Sequence, residues 1–144
     1  MYKPLSLQEL SDREQIRDLL HEYGRSFDER RLEDYANLFA EDGEWSAGSI
    51  VARGPAEVLE MVRKAAEAIP APPGCRNFHV MTNMMIEVDG DRATAWSRFS
   101  FIEPGADGSR NFSGSGVYDD ELVRRNGRWM FLRRTLTGDA PRNQ

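Results

Sequence analysis

HVMTNMMIEVDGDRATAWSRFSFIE, residues 79–103, is the stretch that decides the fold. It predicts two long β-strands joined at Asp89-Gly90, a dipeptide that favours a tight hairpin turn. Residues 112–125 and 128–137 have the same strand-like character and meet at Asn126-Gly127, a second strong hairpin signal. The second half of the chain is therefore expected to form a meander of antiparallel strands.

The first half of the chain carries the periodicity of helices. Ser11-Asp12-Arg13-Glu14 predicts a capping box at the start of a first helix. The apolar stripe of this helix consists of Ile16, Leu19, Leu20, Tyr23 and Phe27. A second, short helix is expected to run through Phe39 and to stop at Asp42-Gly43. A short hairpin around Gly48 then precedes a third helix, which opens at Gly54-Pro55.

Three helices followed by a long meander predict an α+β fold. Strands of this length do not suit a two-layer sandwich in a chain of 144 residues. We therefore expect one strongly curved, mixed but mainly antiparallel sheet, wrapped around the N-terminal helices. That geometry forms a cone that encloses an apolar cavity. We predict a single domain over residues 1–144.

Composition and charge limit the class of partner. The net charge of -5 leaves no basic excess to displace counterions, which argues against nucleic acid. No apolar segment is long enough to cross a bilayer, and the N-terminus lacks the apolar core of a signal peptide. The single cysteine, Cys75, excludes an internal disulfide and fits a reducing compartment, so we expect a cytoplasmic protein. No metal-ligand spacing, phosphate loop or dinucleotide motif is present, so we expect no metal and no cofactor.

His79 is the most informative candidate for chemistry, because the chain has only two histidines and this one opens an apolar strand. An imidazole exchanges protons near neutral pH, which suits an acid–base role. In a regular strand its face, a mixed surface typical of a pocket lining, also carries Met81, Asn83 and Met85. The opposite face, which we expect to be core, consists of Val80, Thr82, Met84, Ile86 and Val88. The alternative is a histidine that is hydrogen-bonded for structure alone.

Asp28, at the end of the first helical segment, is the candidate partner of His79. Its carboxylate either orients the imidazole or caps the second helix by accepting from free backbone amides. Tyr23 completes the stripe of the first helix, so core packing is expected, and a buried phenol needs a partner for its hydroxyl.

Arg134 and Trp45 also have two interpretations each. In a regular strand, Arg134 lies on an apolar face together with Met130, Leu132 and Leu136. Its guanidinium must find an anion there, either a carboxylate of the protein or negative charge on a substrate. Trp45 is either a wall of the cavity or part of the core.

Several short motifs, in order along the chain, are similar to those of the SnoaL-like family. They are DREQIRDLL (12–20), LFAEDG (38–43), HVMTN (79–83), VDGD (88–91) and DELVR (120–124). Together they cover nearly the whole chain. The resemblance implies the cone-shaped α+β fold of nuclear transport factor 2, ketosteroid isomerase and scytalone dehydratase.

The spacing of Tyr23, Asp28 and His79 resembles the branch with scytalone dehydratase, bile-acid dehydratase and hexachlorocyclohexane dehydrochlorinase. In those enzymes an Asp–His pair removes a proton while a leaving group departs. The resemblance implies that Asp28 and His79 are that pair, and that Tyr23 is a polar group of the first helix. It likewise implies that Trp45 is a cavity aromatic and that Arg134 is a basic residue of the final strand. The dehydrochlorinase has a lysine at the position of Tyr23, which favours dehydration over dehydrochlorination here.

The expected function is therefore a cofactor-independent lyase of the dehydratase type. It would act on a small apolar, cyclic substrate bound by Trp45, Met81, Asn83 and Met85. Double-bond isomerisation and polyketide cyclisation are neighbouring activities of the same family. A non-catalytic ligand-binding or assembly module of the same fold is the alternative from a different class.

A homo-oligomer is also expected. The last strand carries apolar residues on both faces, with Trp129 and Phe131 opposite Met130 and Leu132. An open sheet that is apolar on both faces usually needs cover from another subunit. We therefore predict a dimer or a trimer.

Overall fold

The computed structural model of the protein describes residues 3–140, which contain three helices and six strands. The helices are α1 (Leu7–Asp28), α2 (Leu32–Ala36) and α3 (Gly54–Ala68). The strands are β1 (Phe39–Ala47), β2 (Ile50–Arg53), β3 (Phe78–Asp89), β4 (Arg92–Pro104), β5 (Arg110–Arg125) and β6 (Arg128–Gly138). Within this range no helix is long and apolar enough to cross a membrane.

The six strands form one curved, unclosed sheet in the order β2-β1-β6-β5-β4-β3. Every neighbouring pair is antiparallel except β1 and β6, which run parallel. The two-residue turn between β5 and β6 has positive φ at both Asn126 and Gly127, which explains this strong hairpin signal. The predicted α+β class, with a mixed but mainly antiparallel sheet around the helices, is confirmed.

Helix α1 lies along the concave face of the sheet and starts earlier than its sequence pattern predicts. The N-cap is Ser6, whose hydroxyl accepts from the backbone N–H of Glu9 while the Glu9 carboxylate accepts from the N–H of Ser6. This capping box replaces the predicted one at Ser11, which is inside the helix and accepts from Gln15 Nε2. The predicted stripe faces the core, with Ile16, Leu19, Leu20, Tyr23 and Phe27 all buried.

The second helix is shorter than predicted, because the chain enters a strand at Phe39. Gly43 is therefore not a helix stop but a residue of β1. A Cβ atom at Gly43 would lie 2.7 Å from the backbone oxygen of Phe131, so glycine is required for the close approach of β1 to β6.

A β-bulge in β3 changes which residues face the core. Asn83 has a φ of +56°, and the pairing with β4 shifts by one residue between Thr82 and Met85. Before the bulge His79 faces inward, and after it Ile86 does. The single alternation predicted over the whole strand is therefore wrong: Val80 and Thr82 face outward, and Asn83 and Met85 are exposed.

A second irregularity lies in β6. Leu122 of β5 pairs with Phe131, whereas Glu121 pairs with Arg133, so Leu132 is the extra residue. As a result Arg134 shares the buried face with Phe131 rather than with Leu132, and the face predicted from regular alternation is wrong at this point.

Arg134 is the largest fully buried side chain, with 0% of its surface exposed. Its Nε and Nη2 groups donate to the two carboxylate oxygens of Asp120 at 2.7 and 2.9 Å. The guanidinium carbon also lies 4.1, 3.8 and 4.4 Å from the ring centroids of Tyr23, Tyr118 and Phe131. Burial lowers the pKa of Arg134, but the charge and hydrogen bonds of Asp120 outweigh burial and hold the pKa above its usual value.

We expect Asp120→Ala to lower the free energy of unfolding by about 3–5 kcal/mol, because it leaves the buried Arg134 cation unpaired. The double variant Asp120→Leu/Arg134→Met removes both charges, so its free energy of unfolding should fall clearly less than that of Asp120→Ala. Urea denaturation followed by circular dichroism measures both. A loss below about 1 kcal/mol in Asp120→Ala would show that the buried ion pair contributes little to stability.

The predicted homo-oligomer concerns the surface of the sheet and stays a prediction. Large apolar side chains are exposed there, including Met85 and Phe112, each 63% exposed. Size-exclusion chromatography with light scattering should give the mass of a dimer or a trimer, and a monomer would contradict the prediction.

Candidate active site

A cavity of about 360 Å³ lies between the concave face of the sheet, α1 and α3. Its wall is mostly aromatic and aliphatic, as expected for a site that binds a small apolar molecule. The residues of the wall are Tyr23, Phe27, Tyr35, Trp45, Met61, Val62, Ala65, Ile69, His79, Phe99, Phe101, Glu103, Ser113, Gly114, Tyr118 and Leu136.

The Asp28 carboxylate binds His79 twice. Oδ1 lies 2.7 Å from the ring nitrogen Nδ1, and Oδ2 accepts from the backbone N–H of His79 at 2.9 Å. Asp28 is the last residue of α1, and the N-cap position of α2 is Arg31, which makes no side-chain cap bond. Of the two interpretations of Asp28, the structure therefore shows the contact with the imidazole and not the helix cap.

The His79 ring is part of the cavity wall and is held on its apolar sides by phenyl rings. Its centroid lies 5.4 Å from that of Phe27 and 4.7 Å from that of Phe101. Within residues 3–140 no group is hydrogen-bonded to Nε2, the nitrogen opposite the one that meets Asp28. This leaves Nε2 able to exchange a proton with a bound molecule.

Gly24 allows α1 to approach β3 closely enough for this contact. A Cβ atom at Gly24 would lie 3.2 Å from the Cβ of His79 and 3.6 Å from Met81 Cγ. Because Gly24 is one helical turn before Asp28, the two residues lie on the same side of α1, which faces β3.

A second, wider groove of about 740 Å³ lies on the other side of the pair, between α1 and the start of β3. Asp28 and Met81 line this outer groove, whereas His79 borders both the groove and the cavity. The exposed His21 lines the groove as well. The cavity is the better candidate for chemistry because its wall is more apolar and holds buried aromatic groups around the imidazole.

Three phenols meet at the buried end of the cavity. The Tyr23 ring lies 4.5 Å from that of Tyr35 and 5.3 Å from that of Tyr118. The Tyr23 hydroxyl accepts a hydrogen bond from Trp45 Nε1 at 2.8 Å. Burial raises the pKa of both Tyr35 and Tyr118 well above the usual value, so these phenols keep their protons at neutral pH.

Arg134 lies behind this cluster and does not line the cavity. Asp120 accepts from the Nε and Nη2 groups of its guanidinium, and the rings of Tyr23, Tyr118 and Phe131 pack against it. The predicted alternative, a carboxylate of the protein as its partner, is what the structure shows. Nη1 has no hydrogen-bond partner within the described residues.

The other predicted site residues separate into two groups. Tyr23 and Trp45 line the same cavity as His79. Met81 packs on the core beside the outer groove, while Asn83 and Met85 are exposed beyond the bulge and do not reach the cavity. Prediction of substrate contacts by Asn83 and Met85 failed because it assumed regular alternation.

Sequence reasoning missed several members of the wall, among them Phe99, Phe101, Glu103, Gly114 and Tyr118. The signal that indicates the strand residues is alternation along β4 and β5, which places each of them on the concave face. Among the described residues no group of three or more His, Cys, Asp or Glu side chains could hold a metal ion.

The sequence matches the family described as SnoaL-like domain over residues 8–135, most of the chain. The chain belongs to the SnoaL-like family. This SnoaL-like protein is 31% identical over 139 residues to the uncharacterised protein Rv2910c of Mycobacterium tuberculosis, a match that covers 92% of this chain and 89% of that one. It has the same similarity to the uncharacterised protein Mb2934c of Mycobacterium bovis.

Solved structures share the fold of this SnoaL-like chain. Rv3472, a protein of unknown function from Mycobacterium tuberculosis, superimposes with a TM-score of 0.83 at 28% identity over 93% of this chain and 75% of that one. An NTF2-like protein with a cystatin-like fold from Novosphingobium aromaticivorans gives 0.84 at 26% identity, covering 94% and 87%. LinA gives 0.79 at 23% identity, covering 93% and 90%, and shares the fold. The SnoaL-like family includes dehydratases and cyclases.

The tautomer of His79 provides a direct test of its contact with Asp28. We expect His79 to carry its proton on Nδ1 when neutral, because the Asp28 carboxylate accepts from that nitrogen, and to shift toward the Nε2–H form in Asp28→Asn. Long-range nitrogen–proton NMR spectra distinguish the two forms, and exposed His21 is an internal reference in the same spectrum. The same tautomer in both proteins would contradict the pairing.

Proposed function

We propose that the protein is a cofactor-independent lyase of the dehydratase type that removes a proton from carbon. The observation that carries the proposal is an imidazole in the wall of an apolar cavity, with Nδ1 bound to a carboxylate at 2.7 Å. Such a pair is the usual arrangement of a general base whose tautomer is fixed by a neighbouring acid. Membership in a family that includes dehydratases supports it further.

In the first step, Nε2 of His79 takes a proton from a carbon next to a carbonyl group of the substrate. The imidazolium that forms is stabilised by the negative charge of Asp28, and the bond from the His79 backbone N–H keeps that carboxylate in place. The electron pair of the broken C–H bond becomes an enolate, whose oxygen carries the developing negative charge.

Tyr23 is placed to donate to that oxygen. The oxygen of its hydroxyl accepts a hydrogen bond from Trp45, and its phenolic proton can be donated to the substrate. The Arg134 cation, 4.1 Å behind the Tyr23 ring, adds a positive potential without touching the substrate. As the enolate collapses, the C–O bond at the β-carbon breaks, and hydroxide leaves with the proton from His79 as water.

The substrate class follows from the cavity. Its volume of about 360 Å³ and its aromatic wall suit a small molecule with an apolar, cyclic body. Double-bond isomerisation and polyketide cyclisation would use the same base, and the product identifies which reaction occurs. A non-catalytic binding module would bind such molecules without exchanging their protons.

Hydrogen exchange detects the proposed first step without knowledge of the natural substrate. The probe α-tetralone is incubated with the protein in deuterated water, and loss of the signal from its acidic CH₂ group is followed by NMR. We expect His79→Ala and Asp28→Asn to slow the catalysed exchange by about 10²- to 10⁴-fold, and Tyr23→Phe by a smaller factor. The matched control is His21→Ala, because His21 is exposed and outside the cavity.

The β-hydroxy ketone related to α-tetralone then tests elimination, because loss of water yields the fluorescent product α-naphthol. Exchange without elimination would favour an isomerase or a cyclase. Binding of α-tetralone with no exchange above the buffer rate would favour the binding module and overturn the proposal.

A further inference from the structure

The cavity has a buried end and an open end, and the open end is chemically different. Tyr23, Tyr35 and Tyr118 at the buried end are almost completely inaccessible to solvent. Glu103, Ser113 and Gly114, which line the opposite part of the same wall, are partly or fully accessible. One carboxylate therefore lies at the mouth of an otherwise apolar space.

The position of Glu103 relative to His79 follows from the strand register. His79 pairs with Phe101, and Glu103 is two residues further along β4 on the same face. Residues related in this way are diagonal neighbours, about 7–8 Å apart between Cα atoms. Phe78, which pairs with Ile102, is the first residue of β3, so Glu103 lies just past the end of that strand.

Glu103 has no partner in the protein among the described residues 3–140. The acids on the surface are frequently paired, for example Asp42 with Arg125 and Glu22 with Arg31, but no donor contacts the Glu103 carboxylate within that range. A carboxylate that borders an apolar cavity loses hydration when a ligand enters, so binding is favourable only if the ligand supplies a donor.

Gly114 leaves room beside this carboxylate. It pairs with Phe101 on the neighbouring strand and lines the cavity. A Cβ atom added to Gly114 would meet no atom within 4 Å. The space is therefore a part of the cavity and not a close contact that requires glycine, in contrast to Gly116, where a Cβ would lie 2.7 Å from the Phe99 ring.

We propose that Glu103, with the space beside Gly114, forms a specificity subsite for a hydroxyl group of the ligand. The ligand is then an amphiphilic ring compound: its carbonyl end faces Tyr23, and its hydroxyl end donates to Glu103 at the mouth. Hydrogen bonds from O–H groups to a carboxylate are short and strong, which gives the subsite its selectivity. The inference rests on the cavity of the proposed function and names the substrate class of that same site.

Three matched ketones test the subsite by binding alone: acetophenone, para-hydroxyacetophenone and para-methoxyacetophenone. Only the hydroxy compound can donate to Glu103, while the methoxy compound has a similar shape. NMR titration of the protein amides gives each Kd. We expect the hydroxy compound to bind wild type about tenfold more tightly than the methoxy compound, and this preference to fall to about twofold or less in Glu103→Gln.

The control is Glu87→Gln, which removes an exposed carboxylate from the outer face of β3 and should keep the full preference. Gly114→Leu should weaken binding of all three ketones at least several-fold, because its side chain fills the space, while the midpoint of thermal unfolding stays near that of wild type. An unchanged preference in Glu103→Gln, or no binding of the hydroxy compound to wild type, would overturn the subsite.

Failure of the subsite and failure of the proposed lyase give different results. His79→Ala should keep the preference for the hydroxy compound, because the preference depends on Glu103 and not on proton transfer. If the wild-type protein shows the preference but exchanges no protons, the subsite is supported and the proposed lyase activity is contradicted. If proton exchange depends on His79 but no preference depends on Glu103, the lyase activity is supported and the subsite is contradicted.

Discussion

The buried ion pair of Arg134 and Asp120 is the interaction around which the concave face is organised. It holds a cation under the rings of Tyr23, Tyr118 and Phe131, so that α1, β5 and β6 meet at one point. Such a charge is tolerated in the interior because a carboxylate takes two of its hydrogen bonds. The floor of the cavity thus has an apolar surface with a paired cation beneath it.

A second fixed point is the contact between the end of α1 and β3. Asp28 holds both the ring and the backbone of His79, and Gly24 lets the helix lie close enough for it to do so. Since β3 is an edge strand, this helix end is what positions the imidazole from its free side. Helix α1 therefore serves both parts of the site, because it carries Tyr23 of the phenol cluster as well as Asp28.

Local signals in the sequence predicted the hairpin at Asn126-Gly127 and the core stripe of α1, whereas the pairing of Asp28 with His79 was implied by the family resemblance. They did not predict the bulges in β3 and β6, because a bulge is set by the neighbouring strand and by what the sheet must cover, not by the strand alone. Asn83 is a weak indication of the bulge in β3, because asparagine adopts positive φ more readily than most residues. The bulge in β6 likewise changed which residues share a face with Arg134.

Because of the bulge at Asn83, the site depends on how many residues β3 contains and not only on their types. His79 and Ile86 are seven positions apart, an odd separation, and yet both face inward. A deletion of one residue at this point would restore even parity along β3 and retain both side chains. Removal of the bulge without a deletion would instead place His79 and Ile86 on opposite faces, so that Ile86 would stay in the core only if the imidazole turned to solvent. A family member without this bulge must therefore either have one residue fewer in this strand or carry its base at a different position.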